Sequence, residues 1–301
     1  MTTMAVRARP VLTLATWLLP LLTCGCMVQV GSCNGSWSSI NGHSVSEHDG
    51  KLVVDGVQLD YDRWVDVDLD AGSLAQLDVQ TATGPVELQG VEAKSCKLSV
   101  HVHSAVEQDG EVEISNGKLE VKSQHGGKVF INGVKGSVPE EVGLVIGTGT
   151  GDVLVEHAAK GKALSIDTGT GDVTVRGSQP ASVDVDVGAA GVRLEQGGAA
   201  SVTVDCGSGD VHIVDGEWGR ITVDGGSADL MLEGAKADSV KLDSGTGDLR
   251  LEGCTIKEAR LDSGTGDLVI AGGSCKQASI DSGTGDIEVR DGAQVEKQIN
   301  D

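Results

Sequence analysis

Asp243-Ser244-Gly245-Thr246-Gly247-Asp248-Leu249 returns as Asp262-Ser263-Gly264-Thr265-Gly266-Asp267-Leu268, and again as Asp281-Ser282-Gly283-Thr284-Gly285-Asp286-Ile287, each time after 19 residues. The same frame runs backwards. It passes through Asp224-Gly225-Gly226-Ser227-Ala228-Asp229 and Asp205-Cys206-Gly207-Ser208-Gly209-Asp210 to a degenerate copy, Asp186-Val187-Gly188-Ala189-Ala190-Gly191. Asp167-Thr168-Gly169-Thr170-Gly171-Asp172 and Gly147-Thr148-Gly149-Thr150-Gly151-Asp152 stand 20 residues apart. Fainter copies precede them: Val79-Gln80-Thr81-Ala82-Thr83-Gly84-Pro85-Val86 has the same shape, and Val112-Glu113-Ile114 and Leu119-Glu120-Val121 keep only the alternation.

A fixed period of this length is the signature of a repeat architecture. Around each turn lie two short alternating runs, such as Val240-Lys241-Leu242 and Leu249-Arg250-Leu251-Glu252, with Gly253 ending the second. Alternation sends the aliphatics inward and the charged residues outward. One such coil cannot bury its own inner face. Stacking coils about 4.8 Å apart buries each against its neighbours. An antiparallel sandwich needs turns every 8–12 residues, and these turns fall about that often, but strict recurrence of one turn sequence favours stacked identical coils. The expected fold is all-β: a single-domain parallel β-solenoid of ~19-residue coils, roughly 10–12 of them by the count of clear and faint copies. The near-absence of aromatics, 2% of the chain, fits a two-sided coil of short strands that leaves no room for them.

Repeats of the form V-x-L-D-S-G-T-G-D-L-x-L-x-G, as in Val240–Gly253, resemble the bacterial toast-rack domain, an adhesin-like family of β-strand repeats of otherwise unknown function. The resemblance covers residues 75–290 and is strongest over 144–290. It implies a β-solenoid at the cell envelope, often beside membrane-stress sensing systems, and it implies no catalytic residues.

The N-terminus reads as a secretory signal over 1–25. Arg7 and Arg9 are followed by a short apolar run from Val11 to Leu22, too short to span a bilayer comfortably. A cysteine directly after such a run resembles the lipobox of bacterial lipoproteins, which implies lipidation at Cys26, behind Gly25, or alternatively at Cys24. Residues 26–74, with Trp37, Tyr61 and Trp64, read as a tether and N-terminal cap, 75–293 as the solenoid, and 294–301 as a polar tail.

The net charge of −22 repels phosphate backbones, and the basic stripe that nucleic-acid binding requires is not visible in the sequence; the charge favours cations, basic proteins and basic peptides as partners. Expected partners are the membrane, through the N-terminal lipid, and an envelope protein or surface ligand, with the chain monomeric. Cys254 and Cys275 fall in adjacent coils and form a candidate disulfide, as exported proteins retain such bonds.

Two aspartate columns flank the turns. Stacked carboxylates repel, so either turn amides two residues on bind them or calcium does. The speculative calcium ligands are Asp210, Asp229, Asp248, Asp267 and Asp286, because G-x-G-D partly resembles the nonapeptide of calcium-binding β-rolls. The Thr row (Thr150, Thr170, Thr246, Thr265, Thr284) reads as turn packing rather than an ice-binding face. His101 and His103 share a strand face that can hold a metal, but read as solvent-facing. Short uniform loops without basic clusters argue against a polysaccharide-active β-helix enzyme, since a repeat produces carboxylate pairs everywhere. The reading is a non-catalytic acidic scaffold or adhesin-like binding module without a required cofactor. A calcium-binding adhesin is the alternative, and a stacking filament a more distant one.

Overall fold

The computed structural model describes residues 37–40, 43–48, 51–72, 74–295 and 298–300. The expected signal peptide and the residues Cys24, Cys26 and Cys33 lie outside them. The described chain has no helix. It forms a parallel β-solenoid of about eight turns with 19-residue coils. The first long sheet runs from Gly143–Thr148 through Ala163–Thr168, Ser182–Val187 and onward to Ser274–Ser282. The second runs beside it, from Val153–Glu156 to Ile287–Arg290.

Register is preserved throughout. Ile166, Val185, Val204, Val223, Leu242, Leu261 and Ile280 form one inward column, each paired with the next. Val155, Val175, Leu194, Ile213, Leu232, Leu251 and Ile270 form its counterpart in the second sheet. All are buried in one continuous core. Parallel strands keep identical residues in line, so an aliphatic at a given repeat position always meets aliphatics above and below.

The coil count is lower than the sequence implied, and the reason lies in residues 92–142. One rung, Gln76–Thr81 with Val86–Val91, precedes the regular coils and pairs with Gly143–Thr148 and Val153–Glu156. Between them the chain leaves the solenoid path. Val112-Glu113-Ile114 and Leu119-Glu120-Val121 are not coils but an antiparallel hairpin, closed by Asn116 and Gly117 at φ 51° and 82°. Asn-Gly is the pair that a tight hairpin with both central residues left-handed favours. Ser95–Ser104 and Val129–Pro139 also pair antiparallel. Tyr61–Asp70, expected in the cap, is the edge strand of this extension. The remainder of the expected cap is a four-stranded antiparallel meander, Trp37–Ile40 to Val57–Leu59. At the other end, Gln294–Val295 and Gln298–Asn300 add to the first sheet beside Ser274–Ser282, so the tail contributes strands.

From Gly198 on, the strands of the first sheet begin earlier, at nine residues rather than six. Ala199, Trp218, Ala237, Ile256 and Cys275 stack along that added length in register. Trp218 is buried there, its indole N–H donating to Asp215 O at 2.9 Å. The sequence-based expectation of no room for an aromatic is thus corrected: small neighbours, Ala199 and Ala237, create the space.

The glycines divide by corner. In the G-x-G turn they serve close approach: a Cβ on Gly266 would lie 2.2 Å from Gly247 O, and one on Gly285 2.1 Å from Gly266 O. The position admits nothing larger than Ala, present at 190 and 228. The residue after the second strand is instead left-handed in every coil: His157, Gly177, Gln196, Asp215, Gly234, Gly253, Gly272 and Asp291 have φ between 52° and 64°. Four of the eight carry a Cβ that this conformation penalises. Gln196→Gly is therefore expected to raise stability by about 1 kcal/mol, and Gly266→Val to lower it by about 1–3 kcal/mol through overpacking. Urea unfolding of the two variants followed by far-ultraviolet circular dichroism checks both signs.

Candidate functional site: the acidic sheet face

The outward position before each turn is aspartate in seven consecutive coils. Asp167, Asp186, Asp205, Asp224, Asp243, Asp262 and Asp281 pair with one another in register along the first sheet. Lys241 bridges to Asp243 at 3.3 Å and Arg260 to Asp262 at 3.8 Å. Among the described residues no ion pair is found for Asp167, Asp186, Asp205 or Asp224, and Asp184 adds a fifth carboxylate beside them. Partial burial, then repulsion from Asp186, raises the pKa of Asp167; partial burial, then Asp205 and Asp184, raises that of Asp186.

The opposite face is built differently. Arg176 reaches Glu156 at 3.2 Å and Glu195 at 2.8 Å. Arg193 also bonds Glu195, and its guanidinium lies 2.7 Å from His212 Nδ1. His212 approaches Glu233 at 3.4 Å, and Arg250 binds Glu252 at 2.9 Å. The pairs of Arg176 with Glu156 and Glu195, of Arg193 with His212 and of His212 with Glu233 cross from coil to coil, those of Arg193 with Glu195 and Arg250 with Glu252 lie within one strand, and the hydrogen bonds of Arg176 and Arg193 hold the Glu195 carboxyl below its ordinary range. One long face is charge-paired; the other concentrates unpaired acid.

The second aspartate column solves its repulsion through the main chain. Asp210 Oδ1 accepts from Asp229 N at 3.3 Å, Asp229 from Asp248 N at 2.9 Å, Asp248 from Asp267 N at 2.8 Å, and Asp267 from Asp286 N at 2.9 Å. Asp152 and Asp172 do the same toward the amides of Asp172 and Gly191. This corrects the expectation of an amide two residues on: the acceptor serves the next coil. Charge-assisted bonds of this kind are about twice as strong as neutral ones. The speculative calcium ligands Asp210, Asp229, Asp248, Asp267 and Asp286 thus lie in one exposed row. Among the described residues no three acid, histidine or cysteine side chains are gathered as a metal cluster.

Sequence reasoning passed over the inward residue of the same turn. Thr148 and Thr168 hydroxyls accept from Gly151 N and Gly171 N, whereas Ser244, Ser263 and Ser282 donate to carbonyls of the coil before, at 2.9–3.1 Å. Cys206 occupies the same position. The signal was alternation itself, which places the residue after each aspartate inside. The expected Cys254–Cys275 disulfide is not formed: both are buried free thiols, since Cys275 stacks on Ile256 and Cys254 sits two positions earlier in the repeat. His103 is buried rather than solvent-facing, and burial, with neighbouring His101, lowers its pKa to about 4.

Residues 192–300 match the Toastrack DUF4097 family. The Toastrack match takes in the coils from Val192 to the C-terminal strands and not the earlier ones, although those share the same register. No curated protein matches the chain. Among solved structures, a protein of Parabacteroides distasonis provisionally named as lipid binding is 10% identical, with a TM-score of 0.46, and the likeness covers 80% of this chain and 97% of that one. A provisionally named adhesin of Bacteroides fragilis is 14% identical, with a TM-score of 0.34, covering 79% and 96%. A provisionally named cell adhesion protein of Clostridium sporogenes is 10% identical, with a TM-score of 0.30, covering 79% and 100%.

The raised pKa of Asp186 sets a sign. Relative to its protonated form, the charged carboxylate destabilises the folded coil, so that penalty is absent below the ordinary aspartate range and develops as pH rises through the raised folded value. Asp186→Asn is expected to stabilise the protein at pH 7 by a few tenths of a kcal/mol, on the order of a cross-strand pair, and to make no difference at pH 3. Thermal melts at the two pH values check this.

Proposed function

We propose that the chain is a non-catalytic binding module of the bacterial cell envelope, lipid-tethered through Cys26, that holds cationic partners on the acidic face of its first sheet. The observation that carries this reading is the register of Asp167, Asp186, Asp205 and Asp224, a row of carboxylates on a flat sheet without basic partners. Unpaired like charges cost stability in the free molecule, and a row of cations laid along them relieves that cost. The repeat sets the geometry: one carboxylate per coil, about 4.8 Å apart, makes a continuous row of negative charge along which the basic groups of a partner can lie. Net charge draws such partners in and makes binding weaken with salt.

A second reading is supported by the other column. Each of Asp210, Asp229, Asp248 and Asp267 commits one oxygen to an amide, which fixes the row and leaves the second oxygen for water or calcium. A large rise in melting temperature with calcium over excess chelator favours that reading; no shift leaves the row as structure.

The main test uses fluorescence anisotropy of a labelled octalysine peptide with the full chain at low salt. Joint replacement Asp186→Asn, Asp205→Asn and Asp224→Asn is expected to weaken binding about tenfold, equivalent to about 1.4 kcal/mol. Replacing Glu156, Glu233 and Glu252 by Gln on the opposite face removes the same charge and is expected to change binding less than twofold. Equal losses in both variants refute the reading, because the peptide then senses only total charge.

A further inference from the structure

The second sheet ends on Tyr61–Asp70, a strand with a ladder on one side only. It pairs with Ser95–Ser104 residue for residue, from Tyr61 across Ser104 to Asp70 across Ser95, without a shift of register. Ten extended residues make a free edge about 33 Å long. Such edges recruit further strands, and folded proteins blunt them with lysine, proline, a bulge or a covering segment. Tyr61–Asp70 has no lysine, proline or bulge, and no strand among the described residues covers its outer side. Its one basic residue, Arg63, donates to Asp109 O at 3.1 Å and to Gly110 O at 2.7 Å, which ties the edge down. The burial of its aliphatics is incomplete. Val65, Val67 and Leu69 are half-buried, whereas Leu98, Val100 and Val102 on the paired strand, flanked on both sides, are buried.

The alternate positions of the same strand carry Asp62, Trp64, Asp66, Asp68 and Asp70, all exposed. Asp70 accepts from Gly72 N at 2.9 Å, and Asp62 lies 3.2 Å from His101 Nε2. Among the described residues no lysine or arginine bridges these carboxylates. Lys97, opposite Asp68 in the ladder, forms no ion pair with it, and Lys135 rests over the Trp64 ring at 4.5 Å.

We propose that this edge accepts one strand of a partner protein, an extended segment with lysine or arginine at alternate positions and aliphatic residues between them. Main-chain hydrogen bonds supply the affinity of an added strand, and its alternate side chains supply the selection. Residues directly opposite across a ladder interact on one face, so the basic side chains fall beside Asp66 and Asp68 while the aliphatics extend the cover over Val65, Val67 and Leu69. The same aspartates repel an acidic strand, a second copy of this edge included. The edge shares no residue with the Asp167–Asp224 row and stands or falls independently of it.

The test uses two labelled heptapeptides of one composition, Lys-Thr-Lys-Val-Lys-Val-Lys and Lys-Lys-Lys-Lys-Val-Val-Thr, with the full chain at about 0.15 M salt, where exposed charges are screened beyond about 8 Å. The alternating peptide is expected to bind about tenfold more tightly than the blocked one, a difference that one or two net main-chain hydrogen bonds supply. Joint replacement Asp66→Asn and Asp68→Asn is expected to weaken the alternating peptide about fivefold, the size of two cross-strand charge pairs. Joint Asp186→Asn, Asp205→Asn and Asp224→Asn on the first sheet is expected to leave the advantage of the alternating peptide over the blocked one within about twofold of its original size. The alternating peptide is expected to shift the tryptophan emission, and Trp64→Phe to remove that shift. Melting curves show that the variants remain folded. Methylation of the backbone nitrogens of the alternating peptide keeps its charge, leaves the protein untouched, and is expected to abolish its advantage over the blocked one. Equal affinity of the two unmethylated peptides overturns the proposal, as does an advantage that the first-sheet replacements remove and the Asp66 and Asp68 replacements leave unchanged.

Discussion

Each coil must present to the next the same backbone it received, 19 residues later. At the G-x-G corner, carbonyl oxygens of one coil approach so closely that the next coil carries only Gly or Ala there. That approach lets the strands on both sides of the corner meet their neighbours in register. The aliphatic columns, the aspartate rows and the buried hydroxyl row all follow, since parallel in-register stacking converts one residue choice into a column. A favourable choice is multiplied along the stack, and so is an unfavourable one.

The two aspartate columns show how the fold handles that multiplication. Behind the turn, each carboxylate is absorbed by the amide of the following coil, so the row acts as a second ladder outside the sheet. In front of the turn no amide is free, because those strands already spend theirs on sheet pairing. There the charge stays exposed, relieved by Lys241 and Arg260 late in the stack and unrelieved earlier. The same chemical group is thus structural in one column and available for binding in the other.

The repeat was legible because a period needs no knowledge of side-chain contacts: the Asp-Ser-Gly-Thr-Gly-Asp recurrence alone fixed solenoid, period and inward columns. What the period did not carry was less legible. Alternation looks alike in parallel and antiparallel strands, so Val112–Ile114 and Leu119–Val121 resembled eroded coils although Asn116-Gly117 marks a hairpin. The early start of the later first-sheet strands was hidden because its inward column, Ala199 to Cys275, mixes small, aromatic, aliphatic and sulfur side chains with no hydrophobic rhythm. The aspartates were found as columns, but the partner amide lies 19 residues away rather than two, a distance only the stack supplies. Burial of His103 was equally invisible, since it depends on strands far apart in sequence.

In-register stacking of a 19-residue unit holds the molecule together. It is tested most directly by deleting residues 236–254, one full coil, and comparing the result with deletion of residues 236–253, one residue short. Lys236 and Thr255 are register partners, so the full deletion joins equivalent positions and is expected to keep a cooperative melt and the same β-sheet circular dichroism per residue. The shorter deletion turns the following inward columns outward and is expected to abolish the cooperative melt of the coils beyond it. If the two deletions melt alike, in-register coil stacking is not what holds this protein together.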